Sequence, residues 1–232
     1  MLTQEEIKKQ LGRYAADLIP PNATIGLGSG TTIFWLVTEL ANRTKLGLNL
    51  KVVPTSIDTK RLAEQAGITT VELNDVGSLP FTIDGADEID EGFQLIKGGG
   101  GALLREKLVA AQSEKLIIIA DESKWVSQLG RFPLPVEVIP WGWKPVQKKI
   151  LAMGCNTVDL RKDNARPFIS ADGHYILDCH FEKINDADAL NTLLHLIPGV
   201  VETGLFLNMT HAAVIGHADG RVEMKMKGSS IR

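Results

Sequence analysis

The chain has 232 residues, of which 44% are hydrophobic and 23% charged, and its formal net charge at pH 7 is -3. This composition is typical of globular proteins, and the length suits one large domain or a domain of about 150 residues with a smaller companion. The negative charge balance argues against a broad surface for DNA or RNA, so we expect no nucleic-acid partner.

Strands and helices alternate over the first half of the chain. Thr3 followed by Glu6 is a capping-box pattern that begins a helix over 3–18, and Pro20 and Pro21 end it. The other predicted helices are 33–40, 59–66 and 103–111, and the predicted strands are 23–27, 50–53, 69–73, 81–83 and 116–120. This alternation predicts an α/β fold with a Rossmann-like, mainly parallel sheet and helices on both faces.

The pattern changes after the Phe-Pro-Leu-Pro segment at 132–135. The predicted order is strand 136–139, helix 145–153, strands 157–160 and 175–180, helix 187–196 and strand 200–206. This β-α-β-β-α-β order resembles a smaller, ferredoxin-like α+β module. A last strand pair, 212–215 and 221–226, is expected to return to the first domain. The predicted domains are a Rossmann-like catalytic domain, 1–132 with 208–232, and a ferredoxin-like lid or oligomerisation domain, 133–207.

The sequence also predicts no membrane partner and a cytoplasmic location. Residues 1–12 are polar and lack the apolar core of a secretory signal, and no window approaches the roughly 18 apolar residues of a transmembrane helix. Cys155 and Cys179 match no zinc spacing, so we expect two reduced, half-buried thiols in strands.

A glycine-rich turn, Gly28-Ser29-Gly30-Thr31-Thr32, joins the first predicted strand to a helix. Backbone N–H groups at a helix N-terminus attract phosphate, and Ser29, Thr31 and Thr32 add hydroxyl donors. The turn is not a Walker A loop, and Thr31 replaces the third glycine of a dinucleotide fingerprint. The motif therefore favours phosphate over a dinucleotide, with a purely structural tight turn as the alternative.

Two further segments combine charge with unusual backbone freedom. Asp84-Gly85-Ala86-Asp87 follows a buried apolar strand, at the sheet edge where open α/β folds bind ligands, although a solvated acidic loop fits the same residues. Four consecutive glycines follow Lys97, and Glu106 lies in the early turns of the next helix. Such glycines make sense where backbone approaches a ligand closely, and the alternative is a flexible hairpin before an ordinary surface helix.

Histidine placement narrows the choice of catalytic base. All five histidines lie at or beyond position 174, away from the glycine motifs, and none forms a metal-binding pattern such as H-E-x-x-H. A base among the N-terminal motifs would therefore be a carboxylate. Lys124, directly after the strand predicted at 116–120, is expected at the same sheet edge, although a lone lysine is more often a surface residue.

The ordered set of motifs resembles the type A ribose-5-phosphate isomerase family. The segments that carry the resemblance are 26–32, 84–88, 97–107, 120–124, 130–138 and 198–206. Ser29 and Thr31 exchange the usual Thr and Ser around Gly30, which keeps hydroxyls available. The resemblance implies an isomerase of the non-oxidative pentose phosphate pathway that interconverts ribose 5-phosphate and ribulose 5-phosphate through an enediolate. It implies no metal, no organic cofactor, and a homodimer or homotetramer.

The resemblance also implies roles for individual residues. Glu106 would move the proton between C2 and C1, and Lys97 would stabilise the enediolate together with the N–H groups of Gly98, Gly99 and Gly100. Asp84 would open the sugar ring and Asp87 would hold hydroxyl groups. The remaining residues expected at the sugar phosphate are Ser29, Gly30, Thr31, Thr32, Gly85, Ala86 and Lys124.

Three other functions fit parts of the pattern. A sugar-phosphate sensing module would keep the phosphate turn but would not need Glu106. An acyl-CoA transferase would use a glutamate as nucleophile, but the chain is short for one and the Asp84–Asp87 motif would have no task. An isomerase of a different phosphosugar is the third alternative, because sequence pattern does not separate pentoses from close analogues.

Overall fold

The computed structural model describes residues 1–228. Its α-helices are α1 (Gln4–Asp17), α2 (Thr31–Lys45), α3 (Ile57–Gln65), α4 (Leu103–Ala111), α5 (Trp143–Ala152) and α6 (Ala187–His195). Its strands are β1 (Ala23–Leu27), β2 (Leu50–Pro54), β3 (Thr69–Thr70), β4 (Thr82–Asp84), β5 (Glu88–Asp90), β6 (Leu95–Ile96), β7 (Leu116–Asp121), β8 (Trp125–Val126), β9 (Leu134–Val138), β10 (Thr157–Leu160), β11 (Lys162–Asp163), β12 (Arg166–Pro167), β13 (Tyr175–His180), β14 (Val200–Thr203), β15 (Leu205–Phe206), β16 (Thr210–Gly216) and β17 (Val222–Met226). Short 3-10 turns occupy Leu73–Asp75 and Glu122–Lys124. No helix within residues 1–228 is long and apolar enough to cross a bilayer.

The first of two compact units contains a seven-stranded sheet. This unit comprises Met1–Ala86, Arg105–Trp125 and the described part of Met209–Arg232. The strand order is β17-β16-β7-β4-β1-β2-β3, and all neighbours are parallel except the β16–β17 pair. Every residue of β7 is buried, as expected for a central strand of a parallel sheet that is covered on both faces. The predicted Rossmann-like sheet is confirmed.

The register of this sheet brings the carboxyl ends of four strands to one edge. Leu27 of β1 pairs with Pro54 of β2 on one side and with Ile83 of β4 on the other, and Ile83 pairs with Ile117 of β7. The segments that follow these strands therefore emerge at the same edge of the first unit. This is the edge at which open α/β sheets bind ligands.

The second unit, Asp87–Leu104 with Val126–Asn208, contains an antiparallel sheet in the order β10-β13-β9-β14. With α5 and α6 in the β9-α5-β10-β13-α6-β14 order, this is the predicted ferredoxin-like arrangement, which is confirmed. Alternate residues of β9 and β13 point to a core that includes Val136, Leu177 and Ile150. The short strands β5, β6 and β15 pair antiparallel beside it in the same unit.

Two predicted strands differ from the structure. The strand predicted at 200–206 is two strands, β14 and β15, in different sheets. The break is at Gly204, whose N–H donates to Pro135 O at 2.7 Å and where a Cβ atom would lie 2.3 Å from Lys97 O. The strand predicted at 69–73 is limited to β3, and the 3-10 turn Leu73–Asp75 follows.

The predicted domain limits, 1–132 with 208–232 and 133–207, stay a prediction. Residues 229–232 lie outside the described residues. The predicted capping box of α1 is confirmed, because the Thr3 side chain accepts from Glu6 N while the Glu6 carboxylate accepts from Thr3 N.

Candidate active site

The turn after β1 and the end of β4 are joined through the Asp84 carboxylate. Gly28 N donates to Ile83 O at 2.9 Å, which continues the β1–β4 ladder into the turn. Asp84 Oδ1 then accepts from Ser29 N at 3.1 Å and from Gly85 N at 2.7 Å. Asp84 is 1% exposed. Two backbone donors thus fix a buried carboxylate at the carboxyl edge of the sheet.

Gly28 is required by this close approach of the two strands. A Cβ atom on residue 28 would lie 1.9 Å from Asp84 Oδ1 and 2.7 Å from Asp84 Cα. Both distances are shorter than van der Waals contact, and the second involves backbone that cannot rotate away.

We expect Gly28→Ala to displace Asp84 and to lower kcat/KM by about 100-fold, because small displacements of catalytic groups carry costs of this size. Overpacking of this kind also lowers the free energy of unfolding by about 1–3 kcal/mol. Steady-state kinetics and thermal unfolding measure the two effects. Gly77→Ala is the control, because a Cβ atom there meets nothing within 4 Å; equal behaviour of the two variants would contradict the assignment.

Hydroxyl groups of β2 and α3 surround the Ser29 side chain. Ser29 Oγ lies 2.8 Å from Thr55 Oγ1 and 3.3 Å from Thr59 Oγ1. Thr59 Oγ1 donates to Gly28 O at 2.8 Å, and both threonines are buried. The network therefore orients Ser29. Thr55 and Thr59 are not among the residues predicted from the sequence, although the position of Thr55 directly after β2 indicates the same sheet edge.

The N-terminus of α2 lies in the same turn. Its N-cap residue Gly30 has a φ of 99°, in the region that favours glycine, and provides no capping side chain. The N–H groups of the first turn, at Thr31 and Thr32, are therefore not satisfied by a side-chain cap. Lys8 of α1 donates from Nζ to Thr31 Oγ1 at 2.8 Å. Lys8 is not among the predicted residues, because nothing in a helical sequence indicates this contact with a residue 23 positions away.

Two further predicted residues belong to the first unit. Glu106 lies in the first turn of α4 and is 6% exposed. Lys124 ends the 3-10 turn that follows β7. Asp121 caps that turn by accepting from Ser123 N at 3.1 Å, and Glu122 accepts from His217 Nδ1 at 2.7 Å. The structure thus gives Lys124 a defined place at the carboxyl edge of β7.

The second unit carries Asp87, Lys97 and the glycine loop, which we define as residues 98–101. Asp87 N donates to Ile96 O at 2.9 Å, and Asp87 Oδ2 accepts from Gly99 N at 2.8 Å. Lys97 is 3% exposed, and its Nζ lies 5.4 Å from the centroid of the Phe206 ring. The structure therefore brings Asp87 and the loop together within this unit and holds the Lys97 cation away from bulk water.

Histidines form contacts elsewhere in the described chain. His174 and His195 lie 3.0 Å from Glu137 and Glu202, respectively, and His211 Nδ1 accepts from Leu116 N at 3.2 Å. Within residues 1–228, no three His, Cys, Asp or Glu side chains come together as a metal site. Cys155 and Cys179 are both free and both buried, more fully than the expected half-burial, and burial raises the pKa of the Cys179 thiol. Cys179 lies in β13, as predicted, but Cys155 lies between α5 and β10 rather than in a strand.

Comparison with known proteins assigns the chain to a family. The family model for ribose 5-phosphate isomerase A (phosphoriboisomerase A) matches residues 51–220. The chain belongs to this family. A ribose-5-phosphate isomerase A from Bacillus mycoides (strain KBAB4) is 51% identical over 215 residues, which cover 92% of this chain and 97% of the relative.

Solved structures agree with the assignment. Ribose 5-phosphate isomerase from Plasmodium falciparum is 40% identical, has a TM-score of 0.93, and the match covers 97% of this chain and 100% of its own. A D-ribose-5-phosphate isomerase in complex with phospho-erythronic acid is 33% identical, with a TM-score of 0.93 and the same two coverages. The resemblance inferred from the ordered motifs is confirmed, and so is the predicted enzyme class. The roles of individual residues stay predictions.

Proposed function

We propose that Glu106, Lys97, Asp84 and Asp87 carry out the reaction of this ribose-5-phosphate isomerase, the interconversion of ribose 5-phosphate and ribulose 5-phosphate. The observation that carries the proposal is the buried carboxylate of Glu106, placed at the start of the helix that the glycine loop leads into. A buried carboxylate on a rigid helix is suited to general-base catalysis, because packing limits its rotation.

The reaction needs one proton to move between neighbouring carbons. From open-chain ribose 5-phosphate, Glu106 removes the proton on C2, the C1–C2 double bond forms, and negative charge develops on O1. Glu106 then returns the proton to C1, while the proton of the O2 hydroxyl passes to O1, so that O2 becomes the carbonyl oxygen of ribulose 5-phosphate and O1 its hydroxyl. A positioned base of this kind contributes about 10²–10⁴-fold.

General-base catalysis alone leaves the enediolate charge without compensation. We assign that stabilisation to the Lys97 ammonium group and to the N–H groups of Gly98 and Gly100, since the Gly99 N–H group already donates to Asp87. Each preorganised donor contributes about 3–4 kcal/mol to the stabilisation of developing charge. Because Lys97 supplies a fixed positive charge, we also propose that the reaction needs neither a metal nor an organic cofactor.

The carboxylates that follow β4 are assigned to the sugar hydroxyls. Asp84 accepts or returns the hydroxyl proton during ring opening, and the two N–H donors on Oδ1 hold that carboxylate in place. Asp87 binds hydroxyl groups of the open chain. Gly85 and Ala86, between these two residues, present backbone to the sugar.

The phosphate is assigned to the turn after β1. Ser29, Gly30, Thr31 and Thr32 supply hydroxyl and N–H donors at the positive end of the α2 dipole, and Lys124 supplies charge. Lys8 adds a second cation, because its contact with Thr31 places it at the same helix end.

We expect Lys8→Met to raise KM for ribose 5-phosphate by about 10-fold and to leave kcat within about twofold, because phosphate binding is present in both ground and transition states. Initial-rate kinetics over a range of substrate concentrations measure both parameters. Lys9→Met is the matched control, because Lys9 is the exposed neighbour and its Nζ lies over the Trp35 ring. A loss confined to kcat would contradict the phosphate role.

The first test of the whole proposal is turnover of ribose 5-phosphate in excess EDTA. We expect conversion to ribulose 5-phosphate to continue at the rate measured without EDTA. Activity that disappears with EDTA and returns with a divalent cation would overturn the metal-free mechanism. No turnover by folded enzyme, with conversion of another phosphosugar, would overturn the pentose specificity.

The proposal also covers the oligomeric state, location and pathway of the enzyme. We infer a homodimer or homotetramer that acts in the cytoplasm, in the non-oxidative pentose phosphate pathway, on a small sugar phosphate without nucleic-acid or membrane partners. Apolar side chains exposed on the second unit support the assembly: Trp141 is 88% exposed and Leu196 is 72% exposed.

A further inference from the structure

The peptide between Gly98 and Gly99 is held at both of its polar ends. Gly98 O accepts from Arg161 Nη1 at 2.7 Å, and Gly99 N donates to Asp87 Oδ2 at 2.8 Å. In a trans peptide the C=O and N–H groups point in opposite directions. The Arg161 guanidinium and the Asp87 carboxylate therefore bind opposite edges of one peptide group in the second unit.

Arg161 reaches the next peptide as well. The same Nη1 lies 3.1 Å from Gly99 O, so the guanidinium contacts two consecutive carbonyl groups of the glycine loop. Gly101 N returns to Gly98 O at 2.9 Å and closes the turn. Because glycine has the widest choice of backbone conformations, the direction of these peptides depends on the groups that bind them.

Arg161 is itself held in a fixed orientation. Its Nε donates to Asp178 Oδ2 at 3.0 Å, and Nη2 donates to Asp178 Oδ1, which is the bidentate geometry of an arginine–carboxylate pair. The guanidinium carbon lies 5.9 Å from the centroid of the Phe168 ring. The side chains of Arg161 and Asp178 are only 14% and 21% exposed. The donor that binds the loop is therefore preorganised.

We propose that Arg161 is a positioning residue for the isomerisation, which directs the Gly98–Gly99 and Gly99–Gly100 peptides and, through the Gly99 N–H group, fixes the Asp87 carboxylate. Arg161 acts on the loop carbonyls, and its effect on substrate passes through the peptides. A cation bound to a carbonyl also polarises the peptide and strengthens the N–H donor at its other end. This role rests on the proposed function of Asp87 and of the glycine loop.

Lysine cannot replace arginine here. One ammonium group lacks the planar fork that binds Asp178 with two nitrogens while a third donates to the loop. Lysine keeps a positive charge beside Asp178, so loss of the fork is expected to affect catalysis more than folding.

The test is Arg161→Lys, with Arg166→Lys on the exposed strand β12 as the matched control. We expect Arg161→Lys to lower kcat/KM by about 10- to 100-fold, mainly through kcat, since misplaced groups have effects of this size. Arg166→Lys is expected to stay within about twofold. Thermal unfolding of each variant checks folding, and Asp178→Asn, which frees the guanidinium from its carboxylate partner, is expected to reproduce the loss in kcat.

A double-mutant cycle with Asp87→Asn separates positioning from a general structural effect. If Arg161 acts through Asp87, Arg161→Lys in the Asp87→Asn enzyme lowers kcat/KM by only about threefold or less. Losses that multiply independently would overturn the route through Asp87, and an Arg161→Lys enzyme with unchanged kcat would overturn the proposal as a whole. If instead Asp87→Asn alone has no effect, the proposed role of Asp87 fails rather than the contact with Arg161.

Discussion

Glu106→Gln is expected to lower kcat for ribose 5-phosphate by about 10²–10⁴-fold and to leave KM within about threefold. Glutamine keeps the size and hydrogen-bonding shape of glutamate but cannot accept a proton from carbon. The buried position of Glu106, at 6% exposure, makes it difficult for water to serve as a substitute base. Initial rates in both directions of the reaction measure the loss.

Isotope exchange gives a second readout of the same step. In D2O, the wild-type enzyme is expected to incorporate deuterium at C1 of ribulose 5-phosphate as the protonated base exchanges with solvent, and Glu106→Gln is expected to lose this incorporation in parallel with kcat. Glu114→Gln is the matched control, because Glu114 is an exposed glutamate shortly after α4. Undiminished turnover by Glu106→Gln would remove Glu106 from its role and leave the reaction itself assigned.

Local sequence signals predicted most of the fold. Helix α4 was predicted at the bounds that the structure shows, because the glycine loop precedes it and an apolar period follows. The prediction of one strand at 200–206 was wrong because the break depends on contacts that are distant in the sequence. The apolar pattern continues through Gly204, and the change of sheet there depends on the distant Lys97 O and Pro135 O atoms, which no local pattern contains.

In the candidate site, too, general rules predicted some contacts, while others depend on packing that the sequence does not indicate. Ser29 and Asp84 are 55 positions apart, yet their meeting follows from a general rule, since the carboxyl ends of neighbouring parallel strands share an edge. Lys8 and Arg161 follow no such rule. The contact of Lys8 with Thr31 depends on how α1 packs against α2. Arg161 lies in a segment that was not predicted as a strand or a helix, and it contacts Gly98, which is 63 positions away in the sequence. Residues whose contacts depend on long-range packing were therefore missed.

Lys97→Met is expected to lower kcat/KM by about 10²–10³-fold, as for removal of one preorganised donor to developing charge. Methionine fills a similar volume with a flexible apolar chain, so the packing against Phe206 changes little. Initial rates over a range of ribose 5-phosphate concentrations measure the loss.

The stability of Lys97→Met distinguishes a catalytic from a structural role. A buried ammonium group costs free energy of desolvation, and the loss of its interactions with neighbouring groups costs free energy in the opposite direction, so Lys97→Met is expected to change the melting temperature by only a few degrees. Lys162→Met, on the exposed strand β11, is the control for loss of one charge in the same unit. A variant that loses melting temperature and keeps kcat/KM would make Lys97 a structural cation. The expected combination, lost activity with little change in melting temperature, would mean that the buried charge is retained for catalysis rather than for folding.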